Sequence, residues 1–222
     1  MLNPRRPMHL MLFLMLCLGI VRGASADDLS NFFTLVQVDN ANAVKSQLAK
    51  GVDVNARDPR SGETALIIAL REDSMNVFKA LVDDPRVKLE LEAPNGNTAL
   101  MMAAFTRNKP AALALLERGA KVNRPGWSPL HYAAAGDAAD VARILIDRGA
   151  ALDSRAPGGL TPLMMAAREG QEAVVAVLLE AGAKTSLKSA EGMSAADFAD
   201  RMDKPHIVKA ITSHRPAGNH AR

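Results

Sequence analysis

The feature that most limits how this chain can fold is its internal period. A Thr or Ser heading a short apolar run recurs as "SNFF" at Ser30, "TALI" at Thr64, "TALM" at Thr98, "SPLH" at Ser128, "TPLM" at Thr161 and "SAAD" at Ser194, at spacings of 34, 34, 30, 33 and 33 residues. A second apolar helix pattern follows in each unit, such as "MNVFKALVD", "AALALLERGA", "ADVARILIDRGA" or "EAVVAVLLEAGA", and then an extended polar stretch. The punctuation is physical. Thr or Ser caps a helix N-terminus, Pro is preorganised at the first helical position, and Gly119, Gly149 and Gly182 can end the second helix in the left-handed conformation. One such unit has no second layer over its apolar face, so neighbours must stack into an all-α solenoid.

Read as helix, turn, helix and finger, the units resemble the ankyrin-repeat family. The segments that carry the resemblance are "SPLHYAA", "TPLMMAA", "GVDVNARD", "RGAKVN" and "DRGAALDSRAPGGLTPL", and it extends from about Leu29 to about Ile211. It implies a solenoid of stacked helix-turn-helix units with hairpin-like fingers, about six units including caps within residues 27–213. It also implies a monomeric, non-enzymatic module that binds a protein partner through its concave groove and fingers. The ends depart from the pattern as caps do: Ser30 to Asp58 lacks the T-P-L-H opening, and the last unit stops after "PHIVKAI". The polar segment 214–222 is expected to lie outside the fold.

Residues 1–26 read as an address and not as part of the solenoid. Arg5 and Arg6 precede an apolar run from Leu10 to Val21, and "ASA" ends at Ala26, the pattern of a secretory signal peptide cut before Asp27. Twelve apolar residues fall short of the roughly 18 that indicate a membrane-spanning helix. Removing Arg5, Arg6 and Arg22 brings the 27 basic residues level with the 24 acidic ones, so the charge gives no reason to expect nucleic acid or anionic lipid as a partner. Cys17, the single cysteine, leaves with the segment, and stability then has to come from packing. The expected location is outside the inner membrane of a bacterium, in the periplasm or secreted beyond it.

Ser128 and His131 have the residue types of a nucleophile and its base. The positions equivalent to Ser128 are all Thr or Ser, whereas those equivalent to His131 are Ile67, Met101, Met164 and Asp197. A hydroxyl that recurs while its neighbour varies is a cap, and no acidic orienter or oxyanion motif accompanies the pair. Nucleophile-elbow, zinc-helix, phosphate-loop and dinucleotide signatures do not appear, so neither catalysis nor a cofactor is expected. Met101, Met102, Met164 and Met165, with His206, His214 and His220, leave an accessory metal or redox role as an alternative, since thioethers suit soft ions. The two methionine pairs stand a whole repeat apart, and methionine as core filler is the competing account. A host-directed bacterial effector is a further alternative.

Placing the first helices at 100° per residue orients the candidate binding face. With Leu66, Leu100, Leu130 and Leu163 facing the core, the residues two later, Ile68, Met102, Tyr132, Met165 and, in the last unit, Phe198, point away from it. Family geometry puts that side on the concave groove, as an apolar floor flanked by Arg71, Glu72, Phe105, Thr106, Arg168 and Glu169. The third finger, "GAKVNRPGWSPLH", is three residues short and carries Trp127, the only tryptophan. Trp127 reads either as a partner-binding anchor beside a lowered wall or as a filler between fingers. The extra residue in "LVDDPRVKLELEAPNGNTAL" is expected as a loop adjustment after the second helix.

Overall fold

The computed structural model describes residues 26–214. The segment read as an address (1–26) and the polar tail (214–222) lie outside the described residues, apart from the backbone of Ala26 and from His214. Among the described residues twelve α-helices follow one another in six pairs. They are α1 (Ala26–Gln37) with α2 (Ala41–Ala49), α3 (Ala65–Arg71) with α4 (Met75–Val82), and α5 (Ala99–Phe105) with α6 (Lys109–Glu117). The remaining pairs are α7 (Pro129–Ala135) with α8 (Ala139–Asp147), α9 (Pro162–Glu169) with α10 (Glu172–Glu180), and α11 (Ala195–Arg201) with α12 (Pro205–Ser213). Odd-numbered helices pack side by side in one row and even-numbered helices in a second. The core is the seam between the rows. It runs from Phe32, Phe33 and Val44 at one end, through Leu66, Leu81, Leu115, Leu145 and Leu178, to Ile207 and Ile211 at the other.

Helices α3, α5, α7, α9 and α11 start where the sequence puts their hydroxyl, whereas α1 starts at Ala26 and contains Ser30 within it. Thr64, Thr98, Thr161 and Ser194 accept the backbone N–H three residues on, at 3.3–3.4 Å. The third helical residue then answers with its own side chain. Met101 and Met164 sulfurs accept the N–H of Thr98 and Thr161 at 3.5 Å, and Asp197 accepts that of Ser194 at 2.8 Å. His131 does the same for Ser128 at 3.3 Å. Three unlike side chains thus complete one reciprocal cap, which is why the position tolerates such variety.

The turn inside each pair needs a left-handed residue. Asp39, Asp73, Arg107, Asp137 and Asp203 supply it at φ of 53° to 58°, and Gly170 takes φ 80° in the fifth pair. Aspartate tolerates this region better than most residues, and the Asp39 carboxylate is used further. It accepts the Val77 N–H at 2.8 Å and the Asn76 side-chain amide at 2.6 Å. Ser74, the residue before α4, makes no side-chain cap bond, so the preceding repeat caps this helix from outside.

The fingers are turns and not regular hairpins. Among the described residues the β pairing is an isolated antiparallel bridge between Arg57 and Thr64. Side chains join one finger to the next. Asn55 donates to the Arg86 carbonyl and accepts from the Lys88 N–H, and Asn123 does the same with Gly149 and Ala151. Arg57 and Arg155 reach the carbonyls of Glu92 and Lys188 one finger on. The extra residue of the second unit falls in the loop after α4, where Arg86 pairs with Asp84 at 2.7 Å.

Candidate functional site

The site grows from the shortened third finger. Asn123 ties this segment forward to Gly149 and Ala151, while Arg124 ties it back to the Gly96 carbonyl at 2.8 Å and to Glu92 at 2.5 Å. Held from both sides, the finger sets Trp127 immediately before the cap residue of α7. The Trp127 ring lies edge-on to His131 at 5.5 Å and to Tyr132 at 6.4 Å. On the other side Phe105 meets Tyr132 edge-on at 6.3 Å. Such perpendicular contacts suit ring quadrupoles and leave ring surface available beyond the aromatic cluster itself.

These rings wall a cleft of about 370 Å³, lined by Phe105, Trp127, His131, Tyr132, Ala135, Met165, Arg168 and Glu169. Phe105 is 50% exposed, an unusual state for phenylalanine. The Tyr132 hydroxyl donates to Asn97 Oδ1 in the preceding repeat, and burial pushes its pKa up. At the mouth the Arg168 guanidinium pairs with Glu169 at 2.9 Å and lies 3.1 Å from the Met165 sulfur. A larger concavity of about 660 Å³ lies between α2 and α4, but polar residues such as Asp39, Asn40, Lys45, Asn76 and Lys79 line it, and Asp39 is already engaged as a cap.

His131 is almost wholly buried at 1% exposure, and both ring nitrogens are occupied. Nε2 lies 3.0 Å from the Leu160 carbonyl, which can only accept, so Nε2 carries the proton. Nδ1 is therefore the acceptor for the Ser128 hydroxyl at 2.8 Å. Burial holds the imidazole below its usual pKa. Ser128 is itself 2% exposed, and no carboxylate orients the ring, so the pair is a buried cap that bridges two repeats.

The cleft gathers six of the residues expected on the groove: Phe105, Trp127, Tyr132, Met165, Arg168 and Glu169. The expected continuous apolar floor is corrected. Ile68 is fully buried, and Met165, Phe198 and Met102 are 5%, 7% and 9% exposed, which leaves Tyr132 as the half-buried member. The cause is crowding. Helix α3 is flanked by α1 and α5 and backed by α4, so all six residues from Ala65 to Leu70 are buried. In α3 and α5 the exposed position is the last one, Arg71 and Phe105. Arg71 pairs with Glu63 at 2.9 Å and Glu72 at 3.1 Å, outside the cleft. Ala135, which the sequence reading did not single out, lines the cleft from the same end-of-helix register as Phe105 and Arg168, a signal present in the repeat period itself.

Met101, Met164, Met165 and His206, among the residues behind the metal alternative, are engaged within the fold. The Met101 sulfur also receives Arg124 at 3.2 Å, and His206 pairs with Glu172 at 2.8 Å. His214 closes the described residues and His220 lies outside them.

Comparison with known proteins agrees with this architecture. The family model described as "Ankyrin repeats" matches residues 32–125 and 122–189. The chain is 34% identical over 157 residues to the human SH3 and multiple ankyrin repeat domains protein 2, covering 68% of this chain and 8% of that protein. It is 36% identical over 166 residues to neurogenic locus notch homolog protein 1 of Xenopus tropicalis, covering 67% and 6%. The chain thus spans less than a tenth of the length of these two relatives. Among solved structures, an ankyrin repeat domain from Acinetobacter baumannii AYE superposes with a TM-score of 0.70 at 23% identity, over 82% of this chain and 96% of that one. The ankyrin repeat domain of Bcl-3 gives 0.69 at 27% identity, over 82% and 85%.

Proposed function

Because this chain belongs to the ankyrin-repeat family, whose repeats generally mediate protein–protein interaction, we propose that it is a non-enzymatic module that docks one protein partner at the Phe105–Trp127–Tyr132 cleft. The observation that carries this reading is Phe105, half exposed beside two further aromatic rings where the finger is shortest. Aromatic anchors around a desolvated pocket, with a charged rim such as Arg168 and Glu169, are how binding energy is concentrated at interfaces. The partner contributes an apolar side chain to the cleft and polar groups to that rim. The reading of residues 1–26 as an export signal places the encounter outside the inner membrane.

The test uses the full chain as bait in an envelope extract, with captured proteins identified by mass spectrometry. Phe105→Ser removes the exposed ring from a surface position and is expected to weaken capture by about 2 kcal/mol, with an unchanged helical circular dichroism spectrum. A folded Phe105→Ser variant that captures the same protein equally well would move the interface elsewhere on the solenoid. Intact mass of the endogenous protein checks the export reading, which requires a chain beginning at Asp27.

A further inference from the structure

The second repeat has Ile67 at the register of His131, the third and fifth have Met101 and Met164, and the last has Asp197. Only the fourth repeat therefore closes its cap with a group that titrates near neutral pH. That group also spans a joint. Its Nδ1 holds Ser128 at the start of α7, its Nε2 holds the Leu160 carbonyl just before α9, and its ring supports the edge of Trp127. We propose that His131 is a proton-operated latch between the fourth and fifth repeats, closed at neutral pH and released by mild acid, so that the wall of the aromatic cleft loosens when it opens.

The argument is one of donors and acceptors. A second proton on the ring would sit on Nδ1, where the Ser128 backbone N–H already points, and one acceptor cannot be replaced by a donor without losing that bond. The Ser128 hydroxyl would have to reverse, away from a geometry that also sets it 3.5 Å from the Ser154 hydroxyl. No charged side chain is hydrogen-bonded to the ring: on the finger carrying Ser154 and Leu160, Asp153 accepts the Lys184 N–H and Arg155 donates to the Gly159 and Lys188 carbonyls. From α5 the side chain at the cleft is Phe105, and from α9 the charged residues there are Arg168 and Glu169, already paired with each other. The charged residues of α8 and α10 are committed elsewhere, Asp140 to Lys109, Arg143 to Glu180 and Glu172 to His206, with Asp147 exposed. A buried imidazolium facing only hydroxyl and carbonyl groups is unfavourable.

The sign follows from the depressed pKa. Between the folded value and about 6.5 the unfolded chain binds more protons than the folded one, so stability from His131 is fully present above about 6.5 and is lost as pH falls towards the folded value. The latch does not require a partner in the cleft.

Trp127, as the only tryptophan, reports on the joint directly. Its emission is followed from pH 8 to pH 4.5 alongside far-ultraviolet circular dichroism in the wild type, His131→Met and His131→Gln. Methionine already serves this register in two other repeats, and glutamine keeps a donor and an acceptor without titrating. The wild type is expected to show a single red-shifting transition with its midpoint below about 6.5, before global loss of helix, and both variants to lack it. A flat wild-type profile, or the same transition in a folded variant, overturns the latch. Should neither variant fold, the His131 ring protons are titrated by NMR in the wild type. Their midpoint must coincide with that of Trp127, and two separate midpoints overturn the proposal equally.

Discussion

Gly136 rests directly against the backbone of Phe105: a Cβ built on Gly136 would stand 2.2 Å from the Phe105 carbonyl oxygen and 2.9 Å from its Cα. The other repeats carry Glu72, Thr106, Glu169 and Met202 at this register, so the close approach belongs to the junction of α5 and α7. That is the junction spanned by the three-residue-shorter finger. Gly136 has an ordinary φ of −85°, which makes the obstacle steric and not conformational.

Gly136→Ala is accordingly expected to destabilise the chain by about 1–3 kcal/mol, because the clash is with backbone and cannot be relieved by a rotamer change. Urea denaturation followed by circular dichroism measures this. Alanine at a helix end would ordinarily be neutral or better, so an unchanged midpoint would show that α5 and α7 can separate freely.

Asp39 offers a second check, on coupling between repeats. Asp39→Gly keeps the left-handed turn but removes the carboxylate that accepts from Val77 and Asn76. The expected cost is about 1 kcal/mol, the usual value of an N-cap, felt by α4 in the next repeat as well as by the first. Hydrogen exchange at Asn76 and Val77 should accelerate. Unaltered exchange at those amides would mean that the capping bond contributes nothing in solution.

Acid should act on the last repeat through Asp197. The backbone N–H and then the hydroxyl of Ser194 hold this carboxylate below its usual 3.8. A lowered folded value means that the cap's contribution is present above about 3.8 and is lost as pH falls through the folded value. Hydrogen-exchange mass spectrometry across α11 and α12 should show loosening on acidification below that point. Asp197→Asn should flatten this profile, and persistence of the full pH dependence in that variant would assign it to another group.

Much of the fold is legible in the sequence because its determinants are local. Thr64, Thr98, Thr161 and Ser194 each cap a helix with a bond spanning three residues, and the period of their recurrence announces stacking before any contact is known. The same local chemistry settles Ser128 and His131 as a cap, since the equivalent positions vary as caps can and catalytic bases cannot.

What only the tertiary structure decided lies between repeats. A helical wheel turns Ile68 away from the core, yet the residue is fully buried, because the wheel represents one helix and α1, α4 and α5 enclose α3 on its remaining sides. The groove is consequently lined one step later, at Phe105, Ala135 and Arg168, where the helices end and the crowding stops. Asp39 capping α4, Asn97 receiving Tyr132 and Gly136 touching Phe105 join residues about thirty or more apart, at distances set by how one rigid unit seats on the next. Period and caps follow from bonds within a few residues of the chain. The cleft exists only because two such units, joined by a finger three residues short, are brought to that particular separation.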